Sequence, residues 1–204
     1  MDMLTYLSEI EYAATESINL MWKEVEEVAR LESELKPLAQ ATERDYRQAE
    51  AIAMMDDDDD GISTLLHWET YFGVDKNRHH KKEEVQAAAE RVATHQKSVA
   101  LIAGSLLQYA KQGLSQVYGS PQHWPAWAAI GTQGLGNIIL QSRNQTMHWD
   151  TPPLTQRVQD CFTKMATEVN PVFNQFHARS LAFEVVSELK WKNFAKFRVD
   201  MLRV

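Results

Sequence analysis

Residues 3–36 read MLTYLSEIEYAATESINLMWKEVEEVARLESELK. Apolar side chains at Leu4, Leu7, Ala14, Ile18, Met21, Val25, Val28 and Leu35 return every three or four residues, interrupted only by Glu11 and Glu32. That spacing lays a narrow stripe along a helix, suited to the seam of a bundle or coiled coil. Pro37 has no N–H to donate and crowds the preceding turn, so it is expected to end or kink this helix. A second helical stretch, residues 38–55, follows with a thinner apolar face of Ala39, Tyr46, Ala49, Ile52 and Ala53, which must lean on the first.

The same period governs the rest of the chain. Residues 83–118 bring Val85, Ala88, Ala89, Val92, Val99, Ile102, Ala103, Leu106, Ala110 and Val117 to one face, and Gly104 and Gly113 suit close approach of a neighbouring helix. YGSPQHWP, residues 118–125, stops that helix, with Trp124 and Trp127 as loop anchors against the core. Leu135, Ile138, Ile139 and Ser142 form the face of the next helix, which ends at Thr151-Pro152-Pro153. Thr151 and the prolines then start another helix through Gln156, Val158, Phe162 and Met165. Asn170-Pro171 is a further break, and a last helix over residues 178–201 buries Leu181, Val185, Leu189, Phe194 and Phe197. No stretch alternates with the strand period. The expected fold is all-α, a bundle of long antiparallel helices with peripheral helices. Residues 1–204 are read as one domain, comprising an acidic helix pair (1–55), an acidic linker (56–61) and a core (83–204).

Hydrophobic residues at 44% and charged residues at 24% match an ordinary globular chain and exclude wholesale disorder. Cys161 is alone and cannot form an internal disulfide, and no basic-then-apolar leader opens the sequence, so the expected compartment is the cytoplasm. No apolar run approaches the ~18 residues of a membrane span, so no membrane partner is expected. The net charge of −7 hides a split. Residues 1–60 hold 17 of the 28 acidic and 5 of the 21 basic side chains, a net of −12, which leaves +5 for the remainder. An acidic front thus precedes a mildly basic body.

Several chemistries lack their residues. The five aspartates at 56–60 before Gly61 are adjacent rather than at alternate positions, so they read as a solvated connection instead of a calcium loop. Residues 75–82, with Asn77, Arg78, His79, His80, Lys81 and Lys82, read as a basic loop patch able to touch phosphates, although two adjacent histidines point to different sides of a helix. A di-iron carboxylate bundle needs Glu-x-x-His on two helices, and no histidine here has a carboxylate three residues before it. H-E-x-x-H, the P-loop and G-x-G-x-x-G are also missing, so no metal or cofactor is expected.

What remains is Arg143-Asn144-Gln145-Thr146-Met147-His148, at the end of an apolar helix. Arginine forks onto phosphate oxygens, histidine exchanges protons near neutral pH, and Asn144 shares a helical face with His148 four residues on. A plainer assignment makes Arg143 and Asn144 helix-surface residues and His148 a cap for the last carbonyls. On an ideal helix, positions five apart diverge by about 140°, so convergence of Arg143 and His148 requires fraying near His148 or a second subunit.

This R-x4-H pattern, with Asn directly after Arg in an all-helical context, resembles the HEPN superfamily of nucleotide- and RNA-binding domains, with looser likeness over residues 99–196. The resemblance makes residues 83–204 a HEPN-like core. It implies a metal-independent endoribonuclease acting as a homodimer, possessing an antitoxin or regulatory protein partner if it belongs to a toxin–antitoxin or phage-defence system. It implies His148 as general acid/base at the RNA 2′-hydroxyl, Arg143 as the cation on phosphate, and Asn144 as the group that holds the histidine or the phosphate in place. One toxin branch carries a modifiable tyrosine two positions after the histidine. Asp150 stands there, so the likeness does not extend to that modification.

The C-terminal stretch adds Lys190, Lys192, Lys196, Arg198 and Arg203 around Trp191, Phe194 and Phe197. The cations suit RNA phosphates and the aromatics suit base stacking, although an amphipathic helix with a buried aromatic face gives the same pattern. The alternative function is a non-catalytic helical nucleotide-binding or protein-interaction domain, docked through the acidic helices.

Overall fold

The apolar repeat of the opening segment becomes α1, Met3–Met54, in the computed structural model, which describes residues 1–54, 75–124, 128–151 and 153–203. Pro37 lies inside this helix and does not end it, so the expected helix pair of residues 1–55 is one continuous element. Ser33 and Pro37 both face outward. The carbonyl that loses its N–H partner at Pro37 therefore lies on an exposed side of the helix, where the loss costs least. Tyr46, expected on a buried face, is exposed. The acidic run at 56–60 with Gly61, His67 and Trp127 lie outside the described residues.

The second long helix, α2, spans Asp75–Tyr118, so residues 75–82 belong to a helix and not to a loop patch. Beyond it come a 3-10 turn at Pro121–His123, a short antiparallel hairpin of β1 (Ala128–Ile130) and β2 (Gln133–Gly134), and α3 at Leu135–His148. Then follow α4 (Gln156–Glu168), a 3-10 segment (Pro171–His177), α5 (Ala182–Glu188) and α6 (Phe194–Leu202). The all-α class holds. The hairpin is too short for period-two alternation to register in sequence, and Gly131 at φ +54 supplies its turn.

Two expected boundaries move. α4 starts at Gln156 and not at Thr151, because Leu154 is first buried and Thr155 is extended. The last helix is two helices. Lys190 adopts a left-handed φ of 57°, and this reversal turns Trp191 fully inward. Asn193 then caps α6, its side-chain oxygen accepting from Lys196 N at 2.9 Å.

The chain divides into two compact units, Met1–Val25 with Lys97–Val204, and Glu26–Gln96. The second pairs α1 with α2 in antiparallel order: Gln96 donates to Glu32 at 2.9 Å and Lys81 to Asp45 at 2.5 Å. The first holds the main core. Leu7, Ala14, Ile18 and Met21 of the expected stripe are buried there, joined by Met3 and Tyr6, while Leu4 at the stripe's edge is exposed. The Tyr6 ring fits against Gly113, and its hydroxyl donates to Tyr109 O at 2.7 Å. Trp124 is buried as expected, its indole N–H donating to Gly119 O at 3.0 Å.

A β-carbon at Gly113 would sit 2.5 Å from the Tyr6 ring. Gly113→Ala should therefore destabilise the fold by about 1–3 kcal/mol in urea unfolding, and a cost below a few tenths would contradict this packing. Burial pushes the Tyr6 hydroxyl from 10.0 to about 12. The folded state thus holds this proton where the unfolded chain has released it, and the associated stability, intact below pH 10, falls away between pH 10 and 12. Wild type minus Tyr6→Phe, measured across that window, should show the loss. Identical pH slopes for the two proteins would refute it.

Candidate functional site

α3 carries the R-x4-H residues, and its position is set from both ends. At its start, three carboxamides form a ladder: Gln133 donates to Cys161 O at 2.7 Å, Asn137 to Gln133 at 2.8 Å, and Gln141 to Asn137 at 3.3 Å. Toward its end the fully buried Gln145 donates to Phe176 O at 2.9 Å and Arg179 O at 2.7 Å, and accepts from Leu181 N at 3.0 Å. One side chain thereby satisfies backbone groups of the 3-10 segment and of the approach to α5. Gln145 was missed in sequence because nothing local marks a glutamine whose partners lie more than thirty residues away. Between these anchors α3 meets α2 closely: a β-carbon on Gly104 would approach Thr146 Cγ2 to 2.8 Å.

On this frame Arg143 is half-buried. Its Nε donates to Gln108 Oε1 on α2 at 2.8 Å, and Nη1 donates to Asn144 Oδ1 at 3.3 Å. Asn144 therefore touches the guanidinium. His148 is exposed on the last turn, and among the described residues its ring makes no hydrogen bond. The cap assignment for His148 is not realised: Thr151 N and Oγ1 reach the His148 carbonyl at 3.0 and 3.4 Å, and Trp149 N reaches Gln145 O at 2.8 Å. Fraying near His148 does not occur either. α3 stays helical through that residue and Trp149 keeps helical dihedrals (φ −60, ψ −29). Within one chain, Arg143 and His148 thus remain about 140° apart around the helix axis. Asp150, two residues on, is exposed.

The C-terminal basic stretch separates into two populations. Trp191 and Phe197 are wholly buried and Phe194 nearly so, packed edge-on and stacked on one another, which removes them from base stacking. Lys196 pairs with Asp200 at 2.5 Å, and Asp200 also accepts from the Trp191 indole at 3.0 Å. Lys192 lies over the Trp22 ring at 5.5 Å. Lys190, Lys192, Arg198 and Arg203 are exposed.

Cys161 is buried, and desolvation pushes its thiol up to about 12, so it is a core residue and a poor nucleophile. At the hairpin turn Thr132 N and Oγ1 donate to the Glu168 carboxylate at 2.7 to 2.9 Å, which lowers the Glu168 pKa and offsets the unfavourable placement of an acid at a helix C-terminus. Among the described residues no group of three or more His, Cys, Asp or Glu is placed to hold a metal ion, and no helix is long and apolar enough to cross a membrane. No protein-family model, curated protein or solved structure matches the chain.

Gln145→Leu preserves approximate volume but strands three backbone groups, so it should cost about 2–4 kcal/mol in denaturant unfolding. A loss under about 0.5 kcal/mol would mean that other partners replace the carboxamide. Lys190→Gly relieves the left-handed backbone and should raise stability by up to about 1 kcal/mol, read as a higher melting midpoint. A lower midpoint would count against that account of the break.

Proposed function

We propose that this chain is a metal-independent endoribonuclease of HEPN type, active as a homodimer in the cytoplasm and suited to a toxin–antitoxin or phage-defence role. The observation that carries the reading is the Arg143 guanidinium, tethered by Gln108 and Asn144, on the same helix as the exposed ring of His148, which has no hydrogen-bond partner among the described residues. A fixed cation stabilises phosphate charge at no reorganisation cost during reaction, and an exposed imidazole is open to a substrate hydroxyl whose proton it could take.

In this mechanism His148 takes the proton of a ribose 2′-hydroxyl, and the oxygen attacks the adjacent phosphorus. The bond to the 5′-oxygen breaks and that oxygen takes a proton from water, while His148 gives up its own to solvent, leaving a 2′,3′-cyclic phosphate and a 5′-hydroxyl end. Arg143 compensates the added charge on the non-bridging oxygens. Because one regular helix keeps the two side chains apart, the reading assigns Arg143 and His148 of one working site to different subunits. Exposed Lys190, Lys192 and Arg198 are candidate contacts to the RNA backbone, with Lys196 engaged by Asp200. The same divergence of Arg143 and His148 favours a second reading, a helical nucleotide-binding or protein-interaction domain without catalysis.

Purified protein incubated with single-stranded RNA in EDTA should produce cyclic-phosphate ends. His148→Ala and Arg143→Ala should each reduce kcat/KM by at least about 100-fold. Cleavage that survives both substitutions would sink the residue assignment. An absence of cleavage with retained RNA binding would leave the non-catalytic reading, and a monomer by light scattering would exclude the paired site.

A further inference from the structure

We infer that Gln108 is the positioning residue for Arg143, holding its guanidinium so that the Nη1–Nη2 end faces an incoming phosphate; this rests on the phosphate-binding role proposed for Arg143. An arginine has five N–H donors in a planar fork and can offer phosphate either its Nε–Nη2 side or its Nη1–Nη2 end. Gln108 Oε1 occupies Nε–H at 2.8 Å, and Asn144 takes one hydrogen of Nη1 at 3.3 Å. The side approach is thereby closed. Both hydrogens of Nη2 and the second hydrogen of Nη1 remain, and among the described residues no further acceptor meets them.

Two features separate this contact from incidental surface pairing. Gln108 and Arg143 lie 35 residues apart on different helices, both are half-buried, and the close Gly104–Thr146 approach one turn away fixes the spacing between those helices. The acceptor is also neutral. A carboxylate at that position would hold the guanidinium more firmly, but it would cancel its charge and repel phosphate. A carboxamide holds the fork and leaves its charge for a ligand, while reducing the side-chain freedom that binding would otherwise remove.

The opposed demands of fold and ligand supply the test. On the full-length protein, the Arg143 Nε–H signal is followed by NMR in wild type, Gln108→Leu and Gln108→Glu, with Arg143→Lys for assignment. A short single-stranded RNA methylated at every 2′-oxygen, which cannot undergo 2′-hydroxyl attack, is then titrated in. Solvent exchange at Nε–H should rise at least about tenfold in the Leu variant and stay slow in the Glu variant. RNA should shift the signal in wild type, with at least about tenfold weaker affinity in both variants, most in Glu. Under cleavage conditions kcat/KM should fall about 10- to 100-fold for Leu and further for Glu, with thermal midpoints near wild type.

A Leu variant whose Nε–H stays protected overturns the positioning role. So does a Glu variant that binds RNA as wild type does, or a wild-type Arg143 signal indifferent to RNA. If wild type cleaves no RNA yet these NMR outcomes hold, the ribonuclease reading fails alone and Gln108 remains the residue that presents Arg143 to phosphate.

Discussion

The buried carboxamide of Gln145 is the constraint on which the arrangement around α3 depends. Its three hydrogen bonds satisfy backbone groups at Phe176 and Leu181, which would otherwise be buried without partners, and at part-buried Arg179, and they tie α3 to the 3-10 segment and the start of α5. Arg143, Asn144 and His148 are within three residues of that pin and inherit its rigidity. A site whose polar groups sit one helical turn from a fully satisfied buried amide is held by the core and not by a loop.

This explains which parts of the molecule were legible in sequence. The helical period is a local property, and it located the long helices, the break after Tyr118 and the face of α3 through Leu135, Ile138, Ile139 and Ser142, all buried. The errors arose where distant contacts overrode local signals. Pro37 is expected to end or kink the helix, yet on an exposed face its missing N–H does not stop α1. The reversal at Lys190 has no glycine to announce it. It follows from the burial of Trp191 against Phe197 and its indole bond to Asp200. Of the two readings open for Trp191, Phe194 and Phe197, base stacking or a buried face, the burial of all three matches the second.

At the candidate site the residue types were legible and their relations were not. Arg143 next to Asn144 is a sequence fact, but the bond to Gln108 joins residues 35 apart and cannot be read from either helix alone. The regularity of α3 through His148 also depends on the residues just past its end, since Thr151 rather than the histidine closes the final carbonyl. The divergence of about 140° expected of an ideal helix is kept, because α3 remains helical through His148, and the two groups face different directions.

The opening helix has a further consequence through Trp22. Its indole N–H donates to Trp191 O at 3.0 Å across 169 residues, and its ring meets Phe183 edge-on at 5.7 Å. Met1–Val25 belongs to the same compact unit as Lys97–Val204, so the partners of its apolar stripe are synthesised long after the stripe itself. During translation Ile18 and Met21 must wait, uncovered, until much of the later chain has emerged. Such late closure favours slow assembly of this core over folding in step with synthesis.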